Sequence, residues 1–432
     1  MEYDLTLRPH ADLRKVELAF RGGSRTFVAP DGALALQTRA GEFRFRAPVA
    51  WQEKEGRRTP VDVTYEVTSS GSVRFRADGW DRSASLTIDP VFEFARLYGG
   101  ADFDGGLSVA VDSLGFSYVG GQTQSTDFPQ VNGLSGGVLA GPDMFLMKLD
   151  PAGDIVWSTI LGGSASDLVS SLSVDSDGSV IAVGETGSPD FPVTSAPAYG
   201  GGAADAIVLK LSPGGNSLVF SRFLGGAGTD VGRGVAIAAD RSVWVAGRTQ
   251  SAGFPLAGAL RSTLTGTEGF VSKLSSAGAL LFSTFLGGTG SDAVEGVAVS
   301  PGGDVWVVAS TTSSDLASSG LRTTYAGAGD CYLARYNAAG TAMTAGTYFG
   351  GGGLDTCSAI AVDSTGAPVI TGVTTSTDLP VLNAAQGTAG GGNDGFLSKL
   401  NPAATALVFS TYVASNRNDS VSSVAVDSSN NI

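Results

Sequence analysis

The chain of 432 residues holds 27 Lys and Arg against 41 Asp and Glu, a net charge of −14, with 62 Gly, 17 Pro, 2 Cys and a single His. These counts exclude a zinc site of four Cys/His ligands, a four-thiolate iron–sulfur cluster and a disulfide framework; a Ser–His–Asp triad would have to use His10. No Gly-Lys-Ser/Thr phosphate loop and no run of 18 apolar residues occurs.

Residues 1–93 carry 14 basic and 14 acidic side chains, so the acid excess falls on the remaining residues, 13 against 27. An acidic surface repels phosphate backbones, and nucleic acid is not an expected partner. The first ten residues, ending in His10, show neither the basic nor the apolar region of a signal peptide.

From residue 92 the chain repeats. Gly99-Gly100 recurs as Gly162-Gly163, Gly225-Gly226, Gly287-Gly288 and Gly350-Gly351, at spacings of 63, 63, 62 and 63, and Ala414-Ser415 is a degraded sixth copy. Five residues after the first member of each pair stands an Asp: Asp104, Asp167, Asp230, Asp292, Asp355 and Asp419. An alternating apolar run follows each Asp, then an Asx/Gly turn such as Asp175-Ser176-Asp177-Gly178, suited to a tight hairpin. A second strand carries Tyr118, Ile181, Trp244, Trp306 and Val369 in one column. Next comes a Thr-x-Ser-x-Asp-Phe-Pro segment, clearest at Thr123 to Pro129 and Thr186 to Pro192. A third strand opens with an acid and carries a cation five residues on: Asp143/Lys148, Asp205/Lys210, Glu268/Lys273, Asp330/Arg335 and Asp394/Lys399. A fourth strand closes the unit, as in Ile155 to Leu161.

Four short strands per unit, period-2 patterning and no helical period predict an all-β chain: a β-propeller of four-stranded antiparallel blades, about 63 residues each. Residues 1–91 form a partial β-rich N-terminal domain and residues 92–432 the propeller repeats. Five blades are complete, a leading fourth strand is expected at about 92–98, and a trailing first strand at about 420–427. The chain therefore reads as a fragment, or as a product truncated at both ends.

The Asp column is expected to accept backbone N–H groups at the turn into each inner strand; a carboxylate ring able to hold Ca²⁺ is the alternative. The Asp-Phe-Pro loops are the expected ligand-binding positions: Asp127, Phe128, Asp190, Phe191, Phe254, Asp315 and Asp378. The third-strand acids and cations are expected to meet neighbouring strands or loops, since positions i and i+5 face opposite ways. Cys331 and Cys357 are expected as two free, buried thiols, on strands that should not adjoin. Asp102, Asp177 and Glu295 are acids outside the repeating columns, with no evident pairing.

These motifs resemble the seven-bladed β-propeller repeat family of bacteria known as SBBP. The clearest copy runs from Thr159-Ile160-Leu161-Gly162-Gly163 through Asp190-Phe191-Pro192 to Asp205-Ala206-Ile207-Val208-Leu209-Lys210-Leu211. Residues 1–91 resemble the back part of the uncharacterised β-rich domain that often precedes such repeats, on Tyr3-Asp4, Pro48-Val49-Ala50-Trp51-Gln52 and Ile88-Asp89-Pro90. The resemblance implies a secreted or cell-surface location and assigns no reaction.

The expected function is a non-enzymatic scaffold that binds a protein or glycan through its loop-rich face. The alternatives are a carbohydrate-active enzyme using two channel carboxylates and a purely structural spacer. No catalytic residue and no metal ligand is assigned, and no cofactor is expected beyond the Ca²⁺ alternative.

Overall fold

The computed structural model describes residues 5–20, 25–30, 32–38, 41–54, 57–89, 97–134, 141–151, 153–195 and 197–432. The chain divides into two compact units, Met1–Tyr98 and Gly99–Ile432.

The first unit is built from β1 (Leu5–Leu7), β2 (Glu17–Leu18), β3 (Arg25–Val28), β4 (Leu34–Thr38), β5 (Gly41–Phe45), β6 (Val49–Lys54), β7 (Arg57–Pro60), β8 (Val63–Val67), β9 (Val73–Ala77) and β10 (Leu86–Asp89). They pair antiparallel in three sheets, ordered β1-β10-β6-β7, β2-β9-β8 and β3-β4-β5. Alternation on β8 to β10 turns Val63, Tyr65, Val73, Phe75, Leu86 and Ile88 into one apolar core. His10 lies at the surface.

The second unit is five sheets of four strands, each in chain order. The first is β11 (Asp104–Val111), β12 (Ser117–Thr123), β13 (Asp143–Leu149) and β14 (Ile155–Leu161); the second is β15 (Asp167–Val174), β16 (Val180–Thr186), β17 (Asp205–Leu211) and β18 (Leu218–Leu224). The third is β19 (Asp230–Ile237), β20 (Val243–Thr249), β21 (Glu268–Leu274) and β22 (Leu280–Leu286); the fourth is β23 (Asp292–Val299), β24 (Val305–Thr311), β25 (Asp330–Tyr336) and β26 (Met343–Phe349). The fifth is β27 (Asp355–Val362), β28 (Pro368–Thr374), β29 (Asp394–Leu400) and β30 (Leu407–Val413). The inner strands β11, β15, β19, β23 and β27 adjoin in that order and surround a channel, so this unit is a β-propeller.

Blades adhere through apolar side chains. Tyr118 and Trp157 of the first blade pack with Leu172 and Val180 of the second, and Trp244 and Phe282 of the third with Val297 and Tyr332 of the fourth. Third strands lie between two neighbours and are buried on both faces: all seven residues of β17 and of β21 are buried. Each fully buried Phe or Leu there contributes about 1.5–3 kcal/mol. Val109 of β11 is 66% exposed, whereas its counterparts Leu172, Val235 and Val297 are under 10% exposed. Those three each pack beneath the inner strand of a preceding blade, and β11 has none among the described residues.

One expectation changes, and another falls mostly outside the described residues. Residues 420–427 form no strand. They have no second strand to pair with among the described residues, although Asp419 takes its repeat position and accepts from the Ser415 amide at 2.6 Å. The leading strand expected at about 92–98 falls mostly on 92–96, outside the described residues.

Cys331 and Cys357 are not free: they form a disulfide, with Cα atoms 5.1 Å apart. The sequence argument failed on packing, because the inner strand of each blade rests against the third strand of the blade before it, as β27 does on β25. That contact brings the second residue of β25 beside the third of β27.

Candidate functional site

Inner strands enter from one face of the disc, and the second-to-third-strand connections leave from the same face. Those five connections run 18 or 19 residues. Their bases are bound to the incoming turn by one network. In the second blade Asp167 accepts from the Gly163 amide at 2.9 Å, from Ser188 Oγ at 2.9 Å and from Thr186 Oγ1. Ser188 Oγ in turn accepts from the Ala165 amide at 2.9 Å. Asp104, Asp292 and Asp355 make the same three contacts, and Asp230 keeps those from Gly226 and Ser251. Both oxygens of Asp104, Asp167, Asp292 and Asp355 are thus occupied by donors that the chain itself supplies, and one oxygen of Asp230 is.

The Asp-Phe-Pro positions split by chemistry. Phe128, Phe191 and Phe254 are 2–3% exposed, and Phe254 stacks on Phe270 with ring centroids 4.6 Å apart. Asp127, Asp190, Asp315 and Asp378 are exposed, but each accepts the amide of a residue in the incoming turn: Ala101, Ser164, Thr289 and Gly352, at 2.8–2.9 Å. The amide of Ser164 holds Asp190 below the usual carboxylate range, and that of Thr289 does the same for Asp315. Beyond this anchored base the loops expose Val193, Leu260, Val381 and Leu382, between 38% and 47% accessible.

The third-strand acids and cations part company, as their spacing requires. Each cation turns to an Asp in the hairpin of its own blade: Lys148 to Asp112 at 3.9 Å, Lys210 to Asp175 at 2.6 Å, Lys273 to Asp240 at 3.5 Å, Arg335 to Asp304 at 3.8 Å and Lys399 to Asp363 at 2.7 Å. Arg241, at a left-handed φ of 64°, adds a second cation to Asp175 and reaches Asp177 from the next blade. Burial would raise Asp175, but hydrogen bonds from Arg241 and Lys210 outweigh it and hold it at about 2. Two cationic side chains thus occupy the Asp175 carboxylate of this hairpin. The acids are buried at the blade junctions. Burial, with Asp167 alongside, pushes Asp143 up to about 7, and burial raises Asp205 and Asp330 to about 6. Glu268 is neutralised by Arg261 at 2.9 Å. Among the described residues no group of three or more His, Cys, Asp or Glu is placed to hold a metal ion.

The channel is where the repeat breaks. Each inner strand carries a β-bulge at its fourth residue: Leu107, Ser170, Arg233, Glu295 and Ser358. The extra residue of a bulge leaves the ladder and re-aims its side chain, and here all five line a cavity of about 550 Å³, joined by Ser422 to Val424. Burial raises the pKa of Glu295, opposed by the charges of Arg233 and Arg248. The sequence marked Glu295 only as an acid outside the repeating columns, and passed over Arg233 and Arg248. The available signal was the column three residues after each repeat Asp, which runs Leu107, Ser170, Arg233, Glu295 and Ser358 and so places both charges at one repeat position. Asp102 lies in the turn before β11, its amide on Ser125 Oγ at 2.9 Å.

Residues 1–91 match the family DUF7948, a domain of unknown function, and residues 93–129 match SBBP, a beta-propeller repeat. No curated protein matches the sequence. Among solved structures, virginiamycin B lyase from Staphylococcus aureus aligns at 12% identity and a TM-score of 0.34, over 69% of this chain and 81% of that one. The gluconolactonase XC5397 from Xanthomonas campestris aligns at 12% identity and a TM-score of 0.35, over 78% and 93%. Among the described residues no helix is long and apolar enough to cross a membrane. The chain is a β-propeller carrying an SBBP repeat, preceded by a DUF7948 domain.

Proposed function

We propose that the protein is a non-enzymatic binding scaffold of the extracellular or cell-surface space, holding a protein or glycan ligand on the loop-rich face of its propeller. One observation carries the reading. The long connections, bonded at their bases, leave Val193, Leu260, Val381 and Leu382 exposed, next to segments that bond to the outer strand of their own blade, as Thr194 does to Ser221 and Leu382 to Ser410. Exposed apolar residues carried on rigidly bonded loops are candidates for an interaction surface. The Cys331–Cys357 disulfide supports an oxidising compartment. A two-carboxylate hydrolase would need a second acid about 5–10 Å from the first, and Glu295 is the single acid among the described channel-lining residues.

The test is retention of the fluorescently labelled chain on a glycan array and on intact bacterial cells, beside a Val193→Asp/Leu260→Asp/Val381→Asp variant. Retention of the wild type and its loss in the variant, with an unchanged melting temperature, is the expected result. Absence of retention on both surfaces would favour the spacer instead.

A further inference from the structure

Arg233 and Glu295 occupy the same bulge position on adjacent inner strands and are the two charged side chains of the channel lining. Neither makes a hydrogen bond or an ion pair among the described residues, and Arg248 likewise has none. Both arginines are close enough to Glu295 to act on its charge without touching it. The carboxyl has therefore lost much of its water without gaining a partner, a costly arrangement unless something else supplies one. Ser170 repeats the pattern: its Oγ is buried on the channel wall with no partner. Unpartnered polar groups converging on a cavity are what a ligand site presents before its ligand arrives.

The chemistry of the wall narrows the ligand. Arg233 lines the cavity, and Arg248, outside its lining, also acts on the charge of Glu295: two cations to one carboxylate in a propeller whose residues 94–432 hold 13 basic and 27 acidic side chains. A planar, forked guanidinium suits a carboxylate. Ser358 and Ser422 join Ser170 in the bulge column, adding hydroxyls that both donate and accept. Val235 and Val297 give the wall apolar patches of the kind that pack against the C–H face of a ring. The volume of about 550 Å³ lies within the roughly 300–1,000 Å³ of small-ligand pockets. We propose that the channel binds a carboxylate-bearing sugar of the uronic acid type, its carboxylate on Arg233 and its hydroxyls on Glu295 and the serines. This inference goes beyond the function proposed above, which places the ligand on the loop-rich face.

Calorimetric titration of the whole chain with digalacturonate, with a glucuronate-containing disaccharide and with neutral galactobiose tests it. At least one acidic disaccharide should bind, tenfold or more tighter than galactobiose. Arg233 is exposed, so Arg233→Gln should weaken that binding tenfold or more while leaving the melting temperature unchanged. Binding of neither acidic disaccharide, equal binding of galactobiose, or full affinity in Arg233→Gln would overturn the proposal. The loop variant separates the two readings. Acidic-sugar binding lost there but kept in Arg233→Gln would sink the channel site and leave the loop face standing. The reverse pattern would sustain the channel and remove the loop face.

Discussion

Ser188 Oγ donates to Asp167 at 2.9 Å and accepts from the Ala165 amide at 2.9 Å, joining a loop base to the turn of the preceding connection. The hydroxyl is fully buried, so its loss strands both a carboxylate oxygen and an N–H group. Ser188→Ala should cost about 1–3 kcal/mol, read as a lower melting temperature. An unchanged melting temperature would show that water replaces the hydroxyl.

Stability should also depend on pH in a definite direction. The carboxyls of Asp143, Asp205 and Asp330 start from 3.8 and are raised to about 7, 6 and 6 in the fold. Above 3.8 the unfolded chain has lost protons that the folded one retains, so rising pH favours unfolding. Their contribution is full below about pH 4 and gone by about pH 7. Asp175 acts oppositely: its contribution is present above 3.8 and lost as pH falls toward about 2. The melting temperature should therefore peak near about pH 4–5. Asp143→Asn should flatten the decline between pH 4 and 7; an unaltered slope would place the titration elsewhere.

The hairpin cations should differ sharply in weight. Lys210 and Asp175 are 3% and 2% exposed at 2.6 Å, while Lys148 and Asp112 are each 14% exposed at 3.9 Å. Lys210→Met should cost about 1.5–3 kcal/mol, the usual range for a hydrogen bond to a charged group, with Arg241 limiting the loss. Lys148→Met should cost less than about 1 kcal/mol. Equal losses in denaturant titrations would contradict this ranking.

The disulfide closes a loop of sequence separation 26 between the fourth and fifth blades. Chain-entropy reasoning gives about 3 kcal/mol for such a loop. Reduction under denaturing conditions, or Cys331→Ala with Cys357→Ala, should lower the melting temperature accordingly. No change on removal would mean that the blades are held by their apolar contacts alone.

The propeller was legible because its signals repeat. The Gly-Gly pair, the Asp five residues after its first member and the strand columns agree in phase over five units, and each blade follows that phase. The pairing of Cys331 with Cys357 was not legible, since local sequence does not reveal that one blade's first strand rests on the preceding blade's third. The Asp-Phe-Pro motif suggested a ligand, and its chemistry is turned inward: Phe191 is buried and Asp190 accepts an amide of its own fold. The channel charges were hidden for the opposite reason. Arg233 and Glu295 belong to no repeated motif, and only the bulges show that they share a wall.

The repeat Asp residues are assigned to holding the fold, and exposed apolar residues of the long connections to holding a ligand. The most direct test compares retention on the glycan array and on bacterial cells for Asp190→Asn and for the Val193→Asp/Leu260→Asp/Val381→Asp variant, with melting temperatures alongside. The expected result is that Asp190→Asn melts earlier yet retains its ligand, while the loop variant melts normally and loses it. Loss of ligand in a normally melting Asp190→Asn, with full retention by the loop variant, would contradict the assignment and return the binding role to the Asp-Phe-Pro motif.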